Sequence, residues 1–280
     1  MKVYDAIKVE LEGFDVMQAF PSNEIRFLNP FILLHHGHTY YNGGGKQEDF
    51  GVPPHPHRGF VPVTIILKGA LHHRDSLGNS SVISAGGVQW TSSGKGLIHS
   101  ERPSKELVKS GGELELIQLW INLPAKYKMI EPEYFAWENS EIPKFNDENI
   151  IVSVICGKYK TLNGVAKSIY KLDLLLAEIK ENTTSKLTID NTKDTYIYVI
   201  SGNLKINKKQ LEKNKLLVLN NYNVLEIETT LDSKILVMSG NDNGENVAAI
   251  GPFVMNTIGD AKRSFIDYSN GYFGVLKEEF

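Results

Sequence analysis

The chain has 280 residues, 41% hydrophobic and 22% charged, an ordinary globular profile with material for two domains. Thirty basic against 33 acidic residues leave a net charge of −3, and no apolar run reaches membrane-spanning length, so neither nucleic acid nor a membrane is expected as a partner. A single cysteine, Cys156, permits no intrachain disulfide, and residues 1–6 lack the apolar core of a signal peptide, which predicts a cytoplasmic protein.

Short β-type runs punctuated by Gly, Asn, Asp and Pro follow one another along the chain. Residues 31–34, 63–67, 81–84 and 114–123 read as strands in the first half. Residues 150–155, 168–179, 195–200, 216–219 and 234–238 do so in the second. The spacing is that of an antiparallel sandwich or barrel, so an all-β fold is predicted. Pro62 cannot donate to a ladder and is expected at an edge or bulge.

All eight histidines lie between His35 and His99. His55 with His57, and His99 with Glu101, sit at i and i+2, a spacing that places both side chains on one face of a strand. A chain turning back between the pairs can bring three imidazoles and one carboxylate together. That set suits one mononuclear divalent metal, with Fe, Mn, Ni, Cu and Zn all admissible. His36 and His38 repeat the spacing and are expected to line the same pocket, as is Gln118. His72 and His73 flank a turn and are read as hairpin surface. Arg58 and Arg102 should point away from the metal into salt bridges.

Residues 124–133 and 138–149 break the β pattern, predicting one domain over 1–137 and a second over 138–280. A faint repeat relates the halves: residues 66–71 resemble 199–204, aligning Gly69 with Gly202. The same offset sets Thr188 opposite His55 and Asp190 opposite His57, so the second half has strands without ligands. Residues 256–268 read as a C-terminal helix with Asn256 as N-cap and a stop near Gly271.

Several motifs together carry a family resemblance. They are Pro54-His-Pro-His-Arg-Gly-Phe60, His73-Arg-Asp-Ser-Leu-Gly-Asn79, Gly86-Gly-Val-Gln-Trp90, Gly94-Lys-Gly-Leu-Ile-His-Ser-Glu101, Gln118-Leu-Trp-Ile-Asn-Leu-Pro124 and Gly251-Pro-Phe-Val-Met-Asn-Thr257. In these the chain resembles the pirin family of the cupin superfamily. The resemblance implies two cupin barrels (double-stranded β-helix, or jelly roll) in tandem, with iron or a similar metal in the first. It places the ligands on His55, His57, His99 and Glu101. General cupins often carry a ligand Glu where this chain has Val61. Some pirins are similar in activity to quercetin 2,3-dioxygenase, so flavonol cleavage with O₂ is the implied reaction, with Glu101 as the base. The alternative implied role is a metal- and redox-sensing regulator that binds a transcription factor or a metabolic enzyme.

Overall fold

A computed structural model describes residues 1–11 and 14–280. Two compact units emerge, and each is discontinuous in sequence. One comprises Val9–Val16, Asn29–Asn139 and Asp242–Phe280; the other comprises Met1–Lys8, Met17–Leu28 and Ser140–Asn241.

The first unit carries the histidines. Its strands are β1 (Phe31–Tyr41), β2 (Val52–His57), β3 (Phe60–Lys68), β4 (Ala70–Asp75), β5 (Ser80–Ser84), β6 (Val88–Ser92), β7 (Leu97–Pro103), β8 (Gly112–Asn122) and β9 (Glu133–Trp137). The larger sheet runs β9-β6-β3-β8-β1 before two further strands, and the smaller runs β2-β7-β4-β5. A one-turn helix α1 (Lys105–Ser110), capped by the Ser104 side chain on Leu107 N, joins β7 to β8. Strand β3 is central, not an edge. Pro62 is tolerated there because it lies one residue beyond the Val63–Ile65 ladder with β6, toward which its missing N–H would have pointed.

The second unit repeats this plan. Its strands are β10 (Ile150–Cys156), β11 (Asp173–Ile179), β12 (Thr183–Thr188), β13 (Thr195–Ser201), β14 (Asn203–Ile206), β15 (Lys215–Leu219), β16 (Val224–Thr229) and β17 (Ser233–Ser239). The order β15-β13-β17-β11 matches β6-β3-β8-β1, and β12-β16-β14 matches β2-β7-β4. Two tandem cupin barrels are therefore present. The second is filled by aliphatic side chains, among them Leu175, Leu187, Ile189, Ile197, Leu225, Ile227 and Val237.

The contiguous cut expected at 137/138 does not partition the chain. Strand Lys2–Asp5 pairs with β15, completing the second barrel's sheet, because an open strand edge is satisfied by any extended segment that can reach it. The C-terminal segment returns to the first unit, where three arginines anchor it. Arg58 Nη1 meets Asp267 Oδ2 at 2.6 Å, Arg102 pairs with Glu278 through two nitrogens at 3.0 and 2.7 Å, and Arg74 Nη2 donates to Glu279 O at 2.9 Å. The helix expected there is α2 (Ile258–Ser269), and its cap is Thr257, whose hydroxyl accepts from Asp260 N at 3.0 Å. Asn256 instead donates to Asn246 O. Among the described residues no helix is long and apolar enough to cross a membrane.

Candidate metal centre

β2 and β7 are antiparallel neighbours, with His55 opposite His99 and His57 opposite Leu97. Strand alternation then turns His55, His57 and His99 toward one point, and their donor atoms fall within 4.8 Å of one another. Two glycines make the approach possible. At Gly59 (φ 84°) a Cβ would sit 2.1 Å from Val254 O; at Gly51 (φ 76°) it would sit 2.4 Å from Glu101 O.

The imidazole tautomers follow from their outer partners. His55 Nδ1 lies 2.8 Å from Pro53 O, and His57 Nδ1 lies 3.3 Å from Pro252 O. A carbonyl oxygen only accepts, so each Nδ1 carries the proton and each neutral ring presents a bare lone pair at Nε2. Those two Nε2 atoms are 3.1 Å apart. Two lone pairs at that distance repel unless a cation lies between them. Two nitrogens, each about 2.1 Å from a shared ion and near a right angle, would be about 3.0 Å apart. His99 adds the complementary observation: it is 1% exposed, and among the described residues neither ring nitrogen has a hydrogen-bond partner. Burial, reinforced by neighbouring imidazoles, presses the pKa of His57 and of His99 well below the usual value, which keeps both rings neutral and able to ligate. The donor set fits a metal ion.

Glu101 stands at the edge of this cluster, with Oε2 4.0 Å from His99 Nε2. Its carboxylate is held by two side chains of the larger sheet. Thr64 Oγ1 donates to Oε1 at 2.8 Å, and Gln118 Nε2 donates to Oε1 at 3.1 Å and to Oε2 at 3.0 Å. Gln118 thus turns toward Glu101. Trp120, two residues along the same strand, stacks edge-on to His57 with ring centroids 5.3 Å apart.

His36 and His38 do not face it. The β1–β8 register sets His35, not His36, opposite Gln118, so the even-numbered histidines project from the other face of the sheet. His36 is buried there against Glu115 at 3.0 Å, a bond that holds the Glu115 carboxyl down to about 2; His38 is exposed beside Glu113 at 3.3 Å. His73 also departs from expectation. It is 1% exposed, bonds Asp75 Oδ2 at 3.0 Å, stacks on Tyr134 with centroids 4.0 Å apart, and lies 5.3 Å from the His99 ring. Its register opposite Glu101 on β7 brings it inside. His72 stays partly exposed and meets Ser80 Oγ at 2.9 Å.

Sequence reading missed Thr64, His73 and the Pro252 carbonyl. Thr64 is the one polar residue in the run 63–67, a signal that was there to be used. Pro252 is 195 positions from His57, and no local pattern links them.

The repeat between the halves is not in constant register. Aligning the Gly69 and Gly202 turns makes Leu71 equivalent to Leu204 and His73 to Ile206. The register then sets Glu101 against Ile227, His99 against Leu225 and His55 against Leu187, with Ile189 at the place of His57. The offset slips by one residue between the turn and β12, so Thr188 and Asp190 face solvent while the positions matching the histidine cluster and Glu101 hold aliphatic residues.

Comparison with known proteins agrees. Residues 13–121 match the family model Pirin, and residues 174–274 match the Pirin C-terminal cupin domain. A pirin-like protein from Caulobacter vibrioides is 31% identical, covering 93% of each chain. A quercetin 2,3-dioxygenase structure from Acinetobacter baumannii superposes with a TM-score of 0.92 at 30% identity, over 99% of this chain and 98% of that one. A bacterial pirin from Escherichia coli, solved in complex with nickel(II), has the same fold at a TM-score of 0.67 and 20% identity, covering 86% of this chain and all of that one. With both cupin domains matched and the similarity running nearly end to end, the chain belongs to the pirin family.

Proposed function

We propose that the first barrel is a mononuclear metal-dependent dioxygenase site that opens flavonols such as quercetin with O₂. His55, His57, His99 and Glu101 would hold the metal. The carrying observation is the pair of bare Nε2 lone pairs at 3.1 Å beside an unpartnered, buried His99. The likeness to a quercetin 2,3-dioxygenase structure and to a nickel-bound pirin supports the reading. A first-row divalent ion, iron foremost, would supply Lewis acidity toward the substrate's 3-hydroxyl and adjacent carbonyl, and a redox step toward O₂.

The residues of the chain divide the remaining tasks. Glu101 Oε2, the oxygen nearer the imidazoles, accepts the 3-hydroxyl proton. Gln118 and Thr64 keep that carboxylate oriented throughout. Trp120, partly exposed beside His57 and backed by the buried Phe60 ring 4.3 Å away, offers an aromatic surface for a planar substrate.

The test is a spectrophotometric assay with Fe-, Mn- or Ni-loaded protein, quercetin and O₂. Loss of the near-visible flavonol absorbance with matching O₂ uptake supports the reading. No turnover with any of these metals overturns it and favours the redox-sensing regulator.

A further inference from the structure

Gln89 on β6 pairs with Thr64 on β3, Thr64 with Gln118 on β8, and Gln118 with His35 on β1. Residues in cross-strand register share a face, and this face is the one turned toward Glu101, to which Thr64 donates. Thr64 and Gln118 are engaged with Glu101. Gln89 is 1% exposed, and among the described residues neither its Nε2 nor its Oε1 has a hydrogen-bond partner. The Tyr134 hydroxyl lies beside the amide without meeting hydrogen-bond geometry, and bonds Ser81 Oγ instead. Buried amides are almost always paired, because an unmet donor and an unmet acceptor each carry the full cost of desolvation.

The fold itself does not require a polar residue there. In the second barrel the same four register positions hold Leu217, Ile197, Val237 and Leu175, all buried. The barrel with metal-type ligands has a polar row, and the barrel without them has an aliphatic one.

We propose that Gln89 is a specificity-determining residue of the metal site. Its Nε2 donates to, and its Oε1 accepts from, a phenolic hydroxyl of the ligand, on the flank of the site beyond Thr64. The ligand class is therefore a polyhydroxylated aromatic, chelating at one end and hydroxylated at the other. The assignment rests on the flavonol reading above and narrows it.

The experiment measures anaerobic binding of two probes to the metal-loaded protein. Quercetin carries further hydroxyls, whereas 3-hydroxyflavone keeps the chelating group and lacks the rest. Wild type should bind quercetin about tenfold or more tightly than 3-hydroxyflavone, the scale of one well-made hydrogen bond that leaves a site group unpaired when absent. Gln89→Leu, the residue of the second barrel, should erase that preference. It should leave 3-hydroxyflavone affinity and metal content unchanged, and the Tm should not fall. Gln89→Met, closer in shape, should behave alike. A preserved preference in either variant overturns the assignment, as does a Tm drop of several degrees or failure of both to fold, which would make the amide structural through a buried water. Wild type that binds both probes equally overturns Gln89 alone. Wild type that binds neither overturns the flavonol reading with it.

Discussion

Gln118 donates from Nε2 to both oxygens of Glu101, at 3.1 and 3.0 Å, reaching from the larger sheet to the smaller. With Thr64 on Oε1, this fixes the carboxylate's direction before any ion arrives. Gln118→Leu or Thr64→Val should therefore weaken metal binding by about 10–100-fold, the range for losing an outer partner of a ligand. Calorimetric titration with Ni²⁺ on the folded variants checks this. Unchanged affinity in both would mean that Glu101 needs no support, or is not a ligand.

The C-terminal segment bears on the same residue. Arg102 follows Glu101 directly and forms a two-nitrogen pair with Glu278, both side chains largely buried. Glu278→Ala leaves a buried guanidinium facing an empty position, and should cost about 3 kcal/mol of stability. Denaturant unfolding with the m-value compared between variants measures it.

Lys128 lies in the stretch 124–133 that breaks the β pattern, yet it is 2% exposed. Its Nζ donates to Gly59 O at 2.8 Å, Asn122 Oδ1 at 2.6 Å and Val254 O at 2.8 Å, tying the turn after His57 to β8 and the C-terminal segment. Lys128→Met keeps the volume and strands three acceptors. A loss of about 3 kcal/mol is expected from their unmet desolvation, read as a lower denaturation midpoint.

His35 supplies the pH prediction. Burial presses its pKa from 6.5 to about 4. The unfolded chain therefore takes up a proton between those values that the folded chain refuses, so stability holds above pH 6.5 and declines as the pH falls toward 4. His57 and His99 act in the same direction. In His35→Leu, the residue type found at the matching position of the second barrel, the decline in Tm of metal-free protein from pH 6.5 to 4.5 should be shallower than in wild type. Parallel curves would show that His35 does not contribute.

How much was legible beforehand depended on what each feature required. The His55–His57 and His99–Glu101 spacings are local, and alternation alone puts each pair on a face. His36 and His38 have the same spacing, but which face of β1 meets the site is set by the long-range pairing of His35 with Gln118. Local pattern contains no such information. The alignment of Thr188 with His55 failed for a related reason: one residue of slip in a period-two structure exchanges inside for outside. Gln89 stood within a recognised motif with no role attached, since its isolation becomes visible only when its neighbours are in place. The exchanged terminal segments were out of reach, because nothing near residue 278 names Arg102 as its partner.

Metal stoichiometry in wild type and His99→Ala bears most directly on the whole reading. After loading with Fe²⁺ or Ni²⁺ and exhaustive dialysis, elemental analysis should find about one ion per wild-type chain. It should find almost none in His99→Ala, with the fold intact by circular dichroism. Wild type that retains no ion, or a His99→Ala variant that keeps its full complement, would contradict it.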